Sequence, residues 1–148
     1  MKKILLVLTL ILYSCGYQPI YINKNLNNLE FAEIVLKGEK DLNRIILDSL
    51  SLKVNKSNLS LNKIQITTNT IIEETSKNSK GQAQTYRTVI NVELLITKGE
   101  EIIKSKTFME DFSYNSRDNK FELVEYQDEV RDDIIKKIIE EAIIYLNI

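Results

Sequence analysis

The spacing of apolar and polar residues divides most of the chain into strands and helices. Residues 29–37 alternate imperfectly and end at Gly38, which predicts a first strand. From Asp41 to about Val54, apolar residues recur at three- and four-residue spacings, which predicts an amphipathic helix of about four turns. The folded part is therefore predicted to open with a strand followed by a helix.

Three long alternating segments come next, at residues 63–75, 82–97 and 101–114. Alternation is typical of strands with one buried face, and the adjacent Ile71 and Ile72 interrupt it, which predicts a bulge. The buried face of the middle strand is predicted to carry Tyr86, Thr88, Ile90, Val92, Leu94 and Ile96. The joins at residues 78–81 and 98–99 each contain a glycine and suit hairpins, so we expect three antiparallel strands.

The last segment, from about Phe121 to Leu146, has helical spacing. One apolar stripe consists of Tyr126, Val130, Ile134, Ile138, Ala142 and Tyr145. The order of elements is then βαβββα. The simplest fold that buries every stripe is an α+β two-layer sandwich, in which two helices cover one face of a four-stranded, mostly antiparallel sheet. We expect residues 29–148 to form this single domain.

The beginning of the chain has a different pattern. Lys2 and Lys3 precede a run of ten mostly apolar residues, 4–13. This run is too short to span a bilayer, which takes about 20 helical residues, and residues 1–14 are predicted to be a signal peptide. Residues 15–28 are polar, with the sole proline and four asparagines, and are predicted to be a flexible tether.

The boundary between these two segments contains the only cysteine, Cys15. Residues 12–15, Leu-Tyr-Ser-Cys, resemble the bacterial lipobox. The resemblance implies that the Cys15 thiol carries diacylglycerol and that the new amino terminus is N-acylated, so that Cys15 is a lipid anchor. Gly16 stands where an aspartate would indicate inner-membrane retention, so the expected location is the periplasmic side of the outer membrane. The alternative is a buried thiol at the end of a core helix.

Composition narrows the classes of function. Without Lys2 and Lys3, 18 basic residues stand against 21 acidic ones, a formal charge of −3, and no basic face of the kind that binds nucleic acid is visible. Histidine and tryptophan are absent from the sequence, so transition-metal clusters and Cys-His or Ser-His nucleophiles lack their components. We expect no enzyme activity and no cofactor beyond the lipid. A lipid-modifying enzyme that uses serine and lysine, or paired carboxylates, is the alternative.

Three segments, taken with the predicted element order, resemble a known family. They are CGYQPIY at residues 15–21, GQAQTYRTVINVEL at 81–94 and EYQDEVRDDI at 125–134. With the lipobox, they resemble the lipopolysaccharide-assembly lipoprotein LptE in its alphaproteobacterial form, along the whole chain. The sequence departs from the family pattern at residues 22–24, where Ile-Asn-Lys replaces the frequent glycines.

The resemblance implies a role in the cell envelope. Such lipoproteins dock with a large β-barrel partner of the LptD type, contact lipopolysaccharide and help to deliver it to the outer leaflet. The alternative is an accessory lipoprotein of another envelope system for lipid or solute transport. Neither role requires a reactive group.

Lipopolysaccharide carries phosphates and sugar acids, to which lysine and arginine bind readily. Lys77 and Lys80 lie at the predicted hairpin between the second and third strands, and Arg117 and Lys120 precede the last helix. Arg87 lies within a strand, on the face opposite the apolar one, where it either faces the partner or pairs with a carboxylate. These five residues are the predicted lipopolysaccharide-binding set, and the alternative is ordinary solvated charge.

Tyrosines and the uncovered sheet face are the other candidate surfaces. Tyr86, Tyr114, Tyr126 and Tyr145 are either interface anchors or core residues with their hydroxyls near water. The sheet face without helices is predicted to carry Thr85, Val89, Asn91, Glu93 and Leu95. A mixed surface of this kind suits a wet contact better than a dry one.

Overall fold

A computed structural model describes residues 29–57 and 62–147 of the chain. The predicted signal peptide, Cys15 and the tether lie outside the described residues. The elements, in chain order, are β1 Glu30–Phe31, β2 Glu33–Gly38, α1 Lys40–Ser49, β3 Lys53–Val54, β4 Lys63–Lys77, β5 Ala83–Lys98, β6 Glu101–Asn115 and α2 Lys120–Leu146.

Four strands form the main sheet, in the order β2-β4-β5-β6. β2 and β4 are parallel and are joined by a crossover that includes α1, whereas β4, β5 and β6 are antiparallel neighbours. Both helices pack on one face, so the predicted α+β two-layer fold is confirmed. The core between the layers includes Leu42, Ile46, Ile64, Ile66, Ile90, Val92, Leu94, Phe108, Val130, Ile134 and Ile138.

Buried and partly buried hydrogen bonds attach the start of α1 to the sheet. The side-chain amide of Asn43 donates to the backbone oxygen of Lys37 at 3.0 Å, and the Thr68 hydroxyl donates to Asn43 Oδ1 at 3.2 Å. The backbone N–H of Glu39 donates to the same hydroxyl at 3.1 Å. Gly38 adopts φ +88°, and a Cβ at this position would overlap the carbonyl oxygen of Thr68. The β2–α1 connection therefore fits tightly against β4.

The first two elements differ from their predictions. The predicted strand at 29–37 divides into β1 and β2, because Ala32 bends the chain and donates its N–H to the Asn62 oxygen. The predicted helix ends at Ser49 instead of near Val54, since Ser51 has φ +49° and Lys53–Val54 pairs with β1 as a second, two-stranded sheet. The buried Leu50 and Leu52 hold this turn against the core.

The three long strands follow their predicted pattern with one correction. The predicted bulge at Ile71 and Ile72 is wrong, because both residues pair regularly with β5 and the register of β4 shifts only after Glu74. Gly81 and Gly99 have φ of +78° and +61°, as the predicted hairpins require.

The antiparallel arrangement brings four chain segments to one end of the sheet. The end of β4, the beginning of β5, the end of β6 and the beginning of α2 meet there. We call this the hairpin end. Leu29 and β1 lie at the other end, beside the beginning of β4. Neither α1 nor α2, the two helices of the described part of the chain, is long and apolar enough to cross a membrane.

Candidate functional site

A cleft of about 760 Å³ opens at the hairpin end, between the β4–β5 hairpin and the loop that leads from β6 to α2. We call it the hairpin-end cleft. It is lined by residues 78, 82–86, 115–118, 120 and 123. Two chain segments far apart in sequence therefore form its walls, and the tip of the sheet forms its floor.

The first wall is the hairpin, which Asn78 holds in shape. Asn78 Oδ1 accepts hydrogen bonds from the backbone N–H groups of Lys80 and Gln82 at 2.9 and 3.0 Å. Its Nδ2 donates to Gln82 Oε1 at 2.9 Å, and the N–H of Gly81 donates to the Asn78 backbone oxygen. Because one side chain satisfies several turn groups, the hairpin forms a defined wall.

The second wall is the β6–α2 loop. The Ser116 N–H donates to the Gln84 backbone oxygen at 2.7 Å, which ties the loop to β5. At the other end of the loop, Asn119 Oδ1 accepts the Phe121 N–H at 2.9 Å and caps α2. Arg117 directly follows the residue that bonds to β5, and Lys120 directly follows the residue that caps α2, so the backbone of both cations is held in place.

Three tyrosines form an aromatic cluster beside the cleft. The Tyr86 and Tyr114 rings stack with centroids 5.9 Å apart, and the Tyr126 ring meets Tyr114 edge-on at 5.6 Å. Tyr114 is buried, and its hydroxyl lies 2.9 Å from the Thr88 hydroxyl. Of the two alternatives for the tyrosines, Tyr114 is a core residue, whereas Tyr86 and Tyr126 are half-buried against it.

The tyrosine cluster also orients Arg117. The guanidinium carbon of Arg117 lies 4.5 Å from the centre of the Tyr126 ring, a cation–π contact. Stacking uses the face of a guanidinium and leaves its N–H edge for hydrogen bonds to an anion. Lys120 is the first residue of α2, whose N-terminus adds a partial positive charge, and Asp118 is the acidic residue of the lining. The cleft therefore favours an anionic ligand with polar groups.

The structure brings together two of the five predicted lipopolysaccharide-binding residues. Arg117 and Lys120 both line the hairpin-end cleft. Lys80 lies in the hairpin turn, outside the lining. Lys77 lies at the end of β4, where its ammonium is 2.9 Å from a carboxylate oxygen of Glu74, and this hydrogen bond raises the pKa of Lys77.

Arg87 lies on the sheet face opposite the helices. Its Nε donates to Asp111 Oδ2 on the neighbouring strand at 2.9 Å, so the structure shows the carboxylate pair of the two alternatives. The hydrogen bond from Arg87 lowers the pKa of the Asp111 carboxyl below its ordinary value. Because it faces away from the helix layer, Arg87 is separate from the residues that line the cleft.

Sequence reasoning missed the polar lining of the cleft. Its side-chain amides belong to Asn78, Gln82, Gln84 and Asn115. Their signal is the concentration of amides on both sides of two predicted strand ends, which antiparallel pairing places together. Within residues 29–57 and 62–147, no group of three or more acidic, cysteine or histidine side chains is placed to hold a metal ion.

Comparison with known proteins identifies the fold. No protein-family model and no curated protein matches the sequence. The crystal structure of rare lipoprotein B from Shewanella oneidensis superimposes with a TM-score of 0.60 at 11% identity, over 78% of this chain and 93% of that one. This chain has the rare lipoprotein B fold.

Two further structures share this fold. The crystal structure of a minor lipoprotein from Acinetobacter baumannii has a TM-score of 0.56 at 13% identity, over 78% of this chain and 90% of that one. The solution structure of lipoprotein B from Nitrosomonas europaea has a TM-score of 0.56 at 17% identity, over 85% of this chain and 88% of that one. At such identities the likeness establishes the fold alone.

Proposed function

We propose that this chain is an outer-membrane lipoprotein of the LptE type, which docks with a β-barrel partner of the LptD type and assists lipopolysaccharide transport to the outer leaflet. The observation that carries the proposal is the fold shared with rare lipoprotein B, the protein also called LptE, over nearly the whole of that structure. The lipobox at Cys15 supports it independently, since it supplies the lipid anchor that such a protein needs.

The hairpin-end cleft is the proposed contact with lipopolysaccharide. Arg117 and Lys120 supply positive charge for a phosphate, and Arg117 is oriented by its contact with Tyr126. The amide side chains of Gln82, Gln84 and Asn115 supply donors and acceptors for sugar hydroxyls. The proposed role is binding without catalysis.

The position of the cleft suits a protein on a lipid tether. Leu29, where the described chain begins, lies at the opposite end of the sheet from the cleft. β4 has 15 residues between these ends, which at about 3.3 Å per residue corresponds to about 50 Å. In the proposed arrangement, the tether therefore joins the domain at the end opposite the glycolipid contact.

Co-purification tests the docking step. A tagged chain, solubilised from outer membranes, is expected to bring down a large β-barrel protein. The Cys15→Ser variant is expected to leave the outer-membrane fraction, because it lacks the acyl chains. Repeated recovery of the intact lipoprotein without any barrel would contradict the docking proposal.

Depletion tests the transport step and separates it from the alternative. If the chain acts in lipopolysaccharide assembly, lipopolysaccharide accumulates in the inner membrane when the chain is depleted. If lipopolysaccharide still reaches the surface while another lipid or solute fails to move, the chain is instead an accessory lipoprotein of a different transport system.

A further inference from the structure

β6 is a long strand at the edge of the sheet. It has 15 residues and pairs with β5, and among the described elements none lies along its outer side. The strand at the other edge, β2, has 6 residues. An open edge presents unpaired backbone N–H and C=O groups to which a further strand can add. β6 is therefore the larger site for strand addition.

Two lysines on β6 do not protect this edge in the usual way. Lysine on an edge strand commonly discourages further pairing. Here the Lys106 ammonium lies 4.5 Å from the centre of the Phe108 ring, and the Lys104 ammonium lies 5.5 Å from that of Tyr145. The Phe108 and Tyr145 rings contact each other edge-on between β6 and α2. Both lysines therefore bend over the helix side and leave the backbone edge accessible.

The charges along β6 are arranged so that two antiparallel copies of the strand place basic residues of one opposite acidic residues of the other. Lys104 and Lys106 precede Phe108, and Glu110 and Asp111 follow it. When two copies of β6 run antiparallel with Phe108 opposite Phe108, Lys106 of each copy lies opposite Glu110 of the other. Opposite charges at directly facing positions stabilise a strand pair, and like charges destabilise it. A register shifted by four residues places Lys106 opposite Lys106 and is disfavoured.

We propose that β6 pairs with β6 of a second copy of this chain, so that the two four-stranded sheets become one continuous sheet. The pairing also covers exposed apolar side chains on the same strand. Met109, which is 64% exposed, comes to lie opposite Thr107 of the second copy, and Phe112, which is 45% exposed, comes to lie opposite the apolar stem of Lys104. The β6 edges of the two copies therefore complement each other both in charge and in apolar contacts.

Self-association through β6 goes beyond the proposed function and does not depend on it. With Phe108 opposite Phe108, Glu101 lies opposite Asn115, which is the one β6 residue that lines the hairpin-end cleft, and the other lining residues lie outside β6. Because the two β6 strands run antiparallel, the two clefts lie at opposite ends of the dimer and stay open. Failure of dimerisation and failure of lipopolysaccharide binding are therefore separate outcomes.

Charge reversal tests the proposal on the purified full chain in one detergent. Sedimentation velocity over a concentration series is expected to show a monomer–dimer equilibrium for the unaltered chain. Lys106→Glu and Glu110→Lys each turn two attractive pairs into two repulsive ones, and each is expected to weaken dimerisation about tenfold or more. The double variant K106E/E110K restores the attraction with the charges exchanged and is expected to dimerise like the unaltered chain.

Arg44→Glu is the matched control, because Arg44 is exposed on α1 and lies outside β6. It is expected to leave dimerisation unchanged. Amide hydrogen exchange on the unaltered chain supplies a readout without substitutions, since β6 amides are expected to gain protection as concentration rises. An unaltered chain that stays monomeric throughout the series, or a double variant as weak as the single ones, would overturn the proposal.

Discussion

The same strands behave differently at the two ends of the sheet. On the helix-facing side of β4, Ile64 and Ile66 are completely buried beneath the helices, whereas Ile72, further along the same face, is 50% exposed. β5 shows the same contrast, since Ile90 and Leu94 are fully buried and Gln84 near its start is exposed. One half of the sheet holds the domain together, and the other half presents a surface.

Polar groups differ between the two ends as well. At the helix-covered end, Asn43 and Thr68 are buried and hydrogen-bonded to each other. At the hairpin end, Arg117 and Lys120 are exposed to solvent. A buried polar group must find a protein partner, whereas an exposed one stays available for a ligand. If the hairpin-end cleft binds a ligand as proposed, stability and recognition belong to separate parts of the fold.

Truncation of one isoleucine at each end gives the largest expected contrast. Ile66→Ala removes a fully buried side chain and is expected to lower the free energy of unfolding by about 3 to 4 kcal/mol. Ile72→Ala, on the same strand and face, is expected to cost about 1 kcal/mol or less, because half of the side chain is already in water. Urea denaturation measures both values, and equal losses would contradict the division.

Two glycines with positive φ sharpen the same comparison. Gly38→Ala introduces a Cβ that overlaps the Thr68 carbonyl and also strains the backbone, for an expected loss of about 2 to 5 kcal/mol. Gly81→Ala carries a similar backbone penalty but meets no atom within 4 Å, and is expected to cost about 1 to 2 kcal/mol. Thermal unfolding of the two variants gives the difference. A larger loss at Gly81 would show that the hairpin end is the more tightly fitted one.

The hydroxyl pair of Thr88 and Tyr114 lies at the junction between the two regions. Thr88→Val leaves the buried Tyr114 hydroxyl without its partner, and Tyr114→Phe does the reverse, so each is expected to lower stability by about 1 to 2 kcal/mol. The double variant is expected to lose clearly less than the sum, because no unpaired hydroxyl then remains. Additive losses in the denaturation series would mean that the two groups do not interact.

The smallest expected effect concerns the ion pair on the open face. Arg87 lowers the folded-state pKa of Asp111, so the pair contributes stability above the carboxyl's unfolded pKa of about 3.9. That contribution is lost as the pH falls through the lower, folded-state pKa. Asp111→Asn is expected to remove this part of the acid sensitivity and to leave the neutral-pH fold intact. Unfolding midpoints measured from neutral to acidic pH, with Asp41→Asn on exposed α1 as the control, test this expectation.

The sequence predicted the architecture because a sheet with two helices on one face is the simplest arrangement that buries every apolar stripe. Alternation in β4 and β5 correctly assigned Ile66 and Ile90 to the covered face, and the glycine turns correctly set the antiparallel order. The end of α1 at Ser49 was not predictable from local spacing. The helix ends there because the following residues, Lys53–Val54, pair with β1, which is distant in sequence.

The hairpin-end cleft was harder to predict because its floor depends on register. Counting back from the Gly99 turn with regular pairing places Tyr86 opposite Ser113. The register of β5 and β6 shifts by one residue between Ile96 and Thr97, and this shift places Tyr86 opposite Tyr114 instead. The stacking of Tyr86 on Tyr114 therefore depends on this register shift, and the alternation of apolar residues does not specify such a shift.

Binding of purified lipopolysaccharide to the full chain tests the central claim most directly. The double variant R117E/K120E reverses both cations of the hairpin-end cleft and is expected to weaken binding about tenfold or more, which corresponds to about 1.4 kcal/mol. R44E, on α1, is expected to bind as the unaltered chain does, and all three proteins are expected to unfold at similar temperatures. Equal binding by R117E/K120E and the unaltered chain would contradict the assignment of recognition to the hairpin end.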